Sequence, residues 1–184
     1  MERRDFLKWG CRCATMAAAA CLVPHPLPAA PRRAPSAKRL TLYNLHTEES
    51  LHITYAENGR HLPEALEAID HILRDFRTGE VKEIDPGLLD LLHAISKKMG
   101  LTKQHPLQIV SGYRSLQTNA MLRERSSGIA EKSYHLTGQA VDFRVPAFQL
   151  SHLRKAALSL RAGGVGYYPR SDFLHVDVGE FRYW

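Results

Sequence analysis

The chain has 184 residues, 44% of them hydrophobic, and this length favours one domain with a full hydrophobic core over two small domains. Its formal net charge is +6, but residues 1–37 contain six Lys or Arg and two acids, so the remaining 19 basic and 17 acidic residues give only +2. No stripe of basic residues interleaved with aromatic residues occurs, and the sequence therefore predicts no nucleic-acid partner.

Residues 1–37 have the composition of an export signal followed by a linker. The pair Arg3-Arg4 precedes Phe6-Leu7-Lys8 and an apolar run over residues 14–23, which at ten residues is shorter than the about 20 that a membrane span needs. Five prolines between positions 24 and 35 would break a continuing helix. The sequence predicts a twin-arginine signal peptide and a Pro-rich linker, export to the periplasm and no stable membrane span.

All three cysteines lie within this leader, at Cys11, Cys13 and Cys21. The domain expected over residues 38–184 therefore has no disulfide bond and no thiolate metal ligand, and its stability must come from packing.

Hydrophobic periodicity in residues 38–184 predicts strands and helices in alternation. Alternating segments indicate strands over 39–45, 50–55, 108–114, 139–145, 165–168 and 173–178. Helical spacing indicates helices over 63–76, 85–100, 115–125 and 151–160, the second with Asp85 as N-cap and Gly100 as its end. This order predicts an α+β fold in which a small antiparallel sheet, flanked by helices, forms the floor of a cleft.

His135, Asp142 and His175 form the candidate metal site. Two imidazoles and a carboxylate are a three-ligand set for one zinc ion and leave the fourth tetrahedral position open, as hydrolytic zinc sites require. The alternative is three unrelated surface residues, which the ordered pattern makes the weaker interpretation.

The same residues carry a family resemblance. Ser133-x-His135-x-x-Gly138-x-Ala140-x-Asp142, followed by a carboxylate three residues before His175, resembles the zinc signature of the D-Ala-D-Ala metallopeptidase and lysostaphin superfamily. Three further segments resemble its murein endopeptidase K branch, namely 111–115, 132–135 and 162–170. The resemblance covers about Leu40 to Trp184 and implies a hedgehog-like or D-Ala-D-Ala peptidase-like fold, a zinc peptidase and the peptide stems of peptidoglycan as its partners.

Arg114 stands at the end of a predicted strand, where a side chain often faces a site. A guanidinium there would stabilise the negative charge that develops on the substrate carbonyl oxygen, the role that the family resemblance implies. The alternative is a surface arginine paired with Glu124 or Glu131. Ser133 is expected to support a ligand by hydrogen bonding within the site.

Two acids compete for the role of general base. Asp172 stands three residues before His175, at the position that the resemblance assigns to the base, although many relatives carry the longer Glu there. Asp177 shares a strand face with His175 and is either the alternative base or an acceptor that fixes the tautomer of that imidazole.

The resemblance implies an endopeptidase of peptidoglycan cross-links that involve meso-diaminopimelate. Two other functions use the same residues: a D,D-carboxypeptidase that removes terminal D-Ala, and a zinc-loaded module that binds peptidoglycan without cutting it. A full ligand set with a nearby carboxylate favours an enzyme over the binding module.

Overall fold

The computed structural model describes residues 36–126 and 128–184. The predicted signal peptide and most of the predicted linker lie outside these residues. Eight strands form one sheet in the order β3-β2-β1-β4-β5-β7-β6-β8. The strands are β1 (Ala37–Asn44), β2 (Ser50–Glu57), β3 (Arg60–His61), β4 (Leu107–Ser111), β5 (Ala140–Arg144), β6 (Gly164–Tyr168), β7 (Phe173–Asp177) and β8 (Arg182–Tyr183).

The helices are α1 (Pro63–Ile72), α2 (Pro86–Met99), α3 (Leu116–Arg125) and α4 (Leu150–Leu160), and a 3₁₀ turn covers Tyr134–Thr137. The sequence signals for α2 are confirmed. The Asp85 side chain accepts a hydrogen bond from the Gly87 N–H at 2.8 Å, and Gly100 adopts the left-handed conformation that ends the helix. None of the helices within the described residues has the length and apolar character of a membrane span.

The two faces of the sheet have different roles. Along β5, Val141 and Phe143 are fully buried in a hydrophobic core, which also includes residues of α2 and α4. Because side chains alternate along a strand, Asp142 points to the opposite face. The helical face therefore holds the fold together, and the other face of β5 and β7 is free to carry polar chemistry.

The predicted α+β class is confirmed, but the sheet is neither small nor purely antiparallel. β1 pairs in parallel with β4, and β6 pairs in parallel with β8, so the eight-stranded sheet is mixed. These two pairings join strands that are distant in sequence or very short. The alternation pattern within each segment carries no information on such partners.

Helix α1 ends at Ile72, four residues before the end predicted at residue 76. The carbonyl of Leu73 accepts a hydrogen bond from the backbone N–H of Tyr113 at 2.7 Å. This carbonyl therefore binds the turn after β4 and not a further turn of the helix. Asp75, only 1% exposed, then accepts hydrogen bonds from the backbone and the hydroxyl of Ser115. Tertiary contacts thus override the helical periodicity here.

Candidate metal centre

His135, Asp142 and His175 come from two adjacent strands and the turn before them. Asp142 on β5 lies directly opposite His175 on β7 in the antiparallel ladder. His135 belongs to the 3₁₀ turn over Tyr134–Thr137, which ends at Gly138 with φ of 70°. A side chain at Gly138 would be strained and would collide with the carbonyl of Glu83, so glycine is required for this turn.

The ligand atoms of the three residues converge on one point. His175 Nδ1 lies 2.8 Å from Asp142 Oδ1, and His135 Nε2 lies 3.3 Å from the same oxygen. The two imidazole nitrogens are 3.2 Å apart. The structure thus brings together the three residues that the sequence pattern selected, and one candidate ligand atom from each lies within 4.8 Å of the others.

The outer nitrogen of each imidazole has a protein acceptor that assigns the tautomer. His135 Nδ1 donates to the Gly112 carbonyl at 2.7 Å, and His175 Nε2 donates to Asp177 Oδ2 at 3.0 Å. In the neutral rings the inner nitrogens are then lone-pair acceptors that face a carboxylate. Acceptors this close repel one another unless a proton or a cation lies between them, so the donor set fits a bound metal ion.

Burial and mutual charge act in opposite directions on these groups. Burial alone would lower the pKa of His175, but the carboxylates of Asp142 and Asp177 raise it to about 9. Burial alone would raise the pKa of Asp142, yet the imidazoles of His135 and His175 hold it well below its usual range. In the absence of a metal ion, a proton on His175 therefore compensates the buried carboxylate.

Asp177 lies behind His175 as seen from the ligand atoms. It is fully buried, and its oxygens accept from the backbone N–H of Gly164 and Gly179 and from the guanidinium of Arg182. Burial raises the pKa of Asp177, but the His175 and Arg182 hydrogen bonds lower it far below its usual range. Its contact is with Nε2, on the opposite side of the ring from the converging atoms. It is therefore placed to orient His175.

The structure does not bring Asp172 into the ligand cluster. Its side chain is 64% exposed and contacts Arg144 Nη1 at 3.5 Å. It occupies the turn just before β7 with φ of 52°, and the next residue, Phe173, lines the cleft. Asp172 is therefore next in sequence to a cleft residue, but its own side chain does not line the cleft.

Arg114 is 7% exposed and lies beside the cluster, with Nη2 at 3.8 Å from Asp142 Oδ2. Its Nη1 donates to Asn119 Oδ1 at 3.3 Å, and its Nε has no hydrogen-bond partner among the described residues. Among the described residues, Arg114 does not form the alternative ion pair with Glu124 or Glu131. Arg114 also lines the cleft over the cluster, and a nearly buried guanidinium in that place is suited to bind an oxygen of a ligand.

Ser133 acts through the backbone. Its hydroxyl accepts the N–H of His135 at 3.4 Å and caps the 3₁₀ turn, so it fixes the position of the ligand without contacting the imidazole. The Arg114 N–H also donates to the His135 carbonyl at 3.1 Å. The motifs around residues 112 and 133 therefore support the same ligand from two directions.

A cleft of about 540 Å³ opens over the cluster. Tyr168, Phe173 and Trp184 form an aromatic wall, in which Tyr168 stacks on Phe173 with ring centroids 4.5 Å apart. The Trp184 indole N–H donates to the Tyr168 hydroxyl at 2.8 Å. Sequence reasoning missed Asn119, Arg182 and Trp184 as parts of the site. Arg182 and Trp184 stand two residues apart, as side chains on one face of a strand do, but this spacing could not reveal their partners.

An α+β sheet that presents a His-Asp-His group and a buried arginine to an open cleft is an arrangement that suits a metallopeptidase. Residues 32–184 match the family model described as peptidoglycan L,D-endopeptidase MepK. The chain belongs to this family.

Curated relatives agree with this assignment. The chain is 47% identical over 183 residues to peptidoglycan L,D-endopeptidase MepK of Escherichia coli (strain K12), covering 100% of this chain and 97% of the relative. It has the same identity and coverage with the protein of that name in Shigella flexneri. A probable peptidoglycan L,D-endopeptidase MepK of Haemophilus influenzae is 41% identical over 150 residues, or 82% of this chain and 80% of the relative. The murein endopeptidase resemblance is confirmed.

Proposed function

We propose that this protein is a zinc-dependent endopeptidase that hydrolyses peptide cross-links of peptidoglycan, those that involve meso-diaminopimelate. One observation carries the proposal: His135 Nε2, Asp142 Oδ1 and His175 Nδ1 converge within about 3 Å of one another at the floor of an open cleft. Membership of a peptidase family supports the reaction class. The name shared by the relatives, L,D-endopeptidase, supports a bond between an L and a D centre as the one cut.

Two imidazole nitrogens and one carboxylate oxygen are a donor set that zinc accepts, and together they leave a coordination position for water or substrate. Zinc held there would supply a Lewis acid and an activated water molecule. Asp142 would compensate part of the charge of the ion, while the Gly112 carbonyl and Asp177 keep the two imidazoles in the tautomers that direct their lone pairs inward.

Arg114 is assigned to the substrate carbonyl oxygen. Its guanidinium lines the cleft, is nearly buried, and is held by the hydrogen bond from Nη1 to Asn119 Oδ1. A fixed cation in a site with little water stabilises the negative charge that develops on that oxygen during attack. The aromatic wall of Tyr168, Phe173 and Trp184 offers an apolar surface to the aliphatic part of a peptide stem.

Asp172 is assigned as the general base, and Asp177 as the residue that positions His175. Asp177 contacts the outer nitrogen of His175 and is held by Arg182, so its carboxylate is neither near the reacting atoms nor free to accept a proton. Asp172 is next to cleft residue Phe173, and its exposed pair with Arg144 costs less than about 1 kcal/mol to break. Movement of this carboxylate toward the cleft when a peptide binds is part of the proposal.

Mass analysis of the products tests this function against its alternatives. Purified protein loaded with zinc is incubated with cross-linked muropeptide dimers of defined linkage and with monomers that end in D-Ala-D-Ala. The proposal expects dimers to become monomers at the diaminopimelate linkage. Loss of a single D-Ala from monomers with dimers intact would assign a D,D-carboxypeptidase. Binding of both substrates without any cleavage would assign a binding module.

Action on peptidoglycan supports an extracytoplasmic location, and the Arg3-Arg4 pair supports export by the twin-arginine pathway. That pathway reads the two guanidinium groups and not charge alone. Replacement of both residues by Lys is therefore expected to retain the protein in the cytoplasm, as measured by cell fractionation. Normal periplasmic yield of the double variant would contradict this route.

A further inference from the structure

Arg182 makes a paired polar contact behind the proposed metal centre. Its guanidinium binds the Asp177 carboxylate at both ends, with Nη1 at 3.0 Å from Oδ1 and Nη2 at 2.7 Å from Oδ2. Two parallel charge-assisted hydrogen bonds fix both the position and the plane of a carboxylate. Asp177 Oδ2 in turn lies 3.0 Å from His175 Nε2, so Arg182, Asp177 and His175 form a continuous chain that leads to the ligand cluster.

The surroundings of Arg182 hold it in this place. The guanidinium carbon lies 5.2 Å from the ring centre of Tyr134 and 5.3 Å from that of Trp184, distances that allow cation–π attraction to both. The Gly164 N–H donates to Asp177 Oδ1 at 3.2 Å. A side chain at Gly164 would collide with the Asp177 carboxylate and the Arg182 guanidinium, so this contact requires glycine.

The strand pairing brings these residues together. β8 pairs in parallel with β6, with Gly164 opposite Arg182, and β6 pairs with β7, which carries His175 and Asp177. A two-residue strand contributes little to the stability of a sheet by itself. Here β8 places the guanidinium against Asp177. Among the described residues, Asp177 and the ligand Asp142 are the two buried carboxylates that contact His175.

We propose that Arg182 is a positioning residue of the metal centre: it fixes Asp177, which fixes the ring orientation of His175 and directs Nδ1 toward the metal ion. This inference rests on the metal site proposed above. Arg182 also lines the cleft, so a direct contact with substrate is the competing role. Both of its terminal nitrogens donate to Asp177, and Nη1 also donates to the Glu180 carbonyl at 3.0 Å, so few N–H groups remain for a substrate.

The test measures zinc affinity by competition with a chromophoric chelator, using the wild type, Arg182→Gln, Arg182→Lys and the control Arg161→Gln. Arg161 is a suitable control because its guanidinium also lies over an aromatic ring, that of Phe181 at 4.5 Å, away from the ligand cluster. Loss of a hydrogen-bond partner behind a metal ligand weakens metal binding by about 10- to 100-fold, and we expect this for Arg182→Gln. The loss should be smaller for Arg182→Lys and absent for Arg161→Gln.

A double-mutant cycle shows whether Arg182 acts through Asp177. If it does, Asp177→Asn combined with Arg182→Gln binds zinc no more weakly than Asp177→Asn alone. At saturating zinc, Arg182→Gln should regain wild-type turnover with an unchanged KM for a muropeptide dimer. Additive losses of affinity, or a raised KM at saturating zinc, would overturn the inference.

Circular dichroism of each variant separates folding from metal binding. If Arg182→Gln fails to fold, Arg182→Lys provides the test. A single ammonium group cannot reproduce the two parallel hydrogen bonds, so this variant should also bind zinc measurably more weakly than the wild type. Wild-type affinity in a folded Arg182→Lys variant would then overturn the inference. Absence of zinc binding by the wild type would instead refute the metal site itself.

Discussion

The two carboxylates on either side of His175 differ in almost every physical respect. Asp177, two residues after it, is fully buried and binds one imidazole, one guanidinium and two backbone N–H groups. Asp172, three residues before it, has a side chain that is 64% exposed and that makes one polar contact within residues 36–126 and 128–184, at 3.5 Å to Arg144. One strand thus carries a rigid acid at its end and a loosely held acid in the turn before its start.

This difference separates the two chemical tasks of the site. A residue that orients a metal ligand must keep one position, and burial with several hydrogen bonds provides that. A residue that accepts a proton and passes it on must reach the substrate and change its partners, which a weak exposed ion pair permits. On the function proposed above, this difference predicts that Asp177 positions His175 and that Asp172 transfers the proton.

Removing the ligand between the two acids should have the largest effect. In His175→Ala the metal loses a ligand, so zinc affinity should fall by more than the about 10- to 100-fold expected for loss of an outer partner, and cleavage should become undetectable. Metal analysis of the dialysed protein measures the first effect. His52→Ala is the matched control, because this exposed histidine on β2 contacts Thr41 and lies outside the cluster. Unchanged zinc content in His175→Ala would exclude the proposed site.

Asp172→Asn removes the proposed base and leaves the ligand cluster intact. Turnover should fall by on the order of a hundredfold or more, while zinc affinity and binding of muropeptides stay unchanged, because proton transfer contributes about two to four decades of rate. Steady-state kinetics with a muropeptide dimer provides the measurement. Arg144→Gln removes the partner of Asp172 but keeps the carboxylate, so it should retain wild-type turnover. A near wild-type rate in Asp172→Asn would contradict the comparison.

Asp177→Asn should have the opposite profile. Loss of the carboxylate behind His175 should weaken zinc binding by about 10- to 100-fold, and added zinc should restore turnover. Titration of activity with zinc distinguishes this result from loss of a base, which no amount of metal restores. If the zinc-saturated variant remains inactive while Asp172→Asn is active, the base is Asp177.

The smallest effect concerns pH. Because the pKa of His175 is raised to about 9 in the metal-free protein, its imidazole carries a proton at neutral pH that zinc must displace. Apparent zinc affinity should therefore rise about tenfold for each pH unit between about pH 7 and 8, with release of about one proton per ion. Chelator competition at several pH values measures the slope. An affinity independent of pH in this range would show that His175 is already unprotonated.

The sequence predicts the elements that depend on local signals. Helix α2 was predictable from Asp85 and Gly100, since the cap and the left-handed end require particular residues. The parallel pairings of β1 with β4 and of β6 with β8 were not, because they depend on contacts between distant segments. The early end of α1 was not predictable for the same reason, because the Leu73 carbonyl accepts a hydrogen bond from Tyr113, a residue distant in sequence.

For the site, the ordered residue types and the family resemblance that they carry predict which residues meet but not what holds them. His135, Asp142 and His175 were found because their types and order form a zinc pattern. Arg182 was missed because its partner, Asp177, is reached only through the pairing of β8 with β6. The position of Asp172 in the sequence gave no sign that its side chain would pair with Arg144 outside the cluster.

Removal and return of the metal ion tests the central claim most directly. The wild-type protein without its leader is stripped with a chelator, dialysed, and then titrated with zinc while cleavage of a cross-linked muropeptide dimer is followed. If His135, Asp142 and His175 form the catalytic metal centre, cleavage should stop on stripping and return in full at about one zinc per chain. Undiminished cleavage by protein shown by metal analysis to be metal-free would contradict the account.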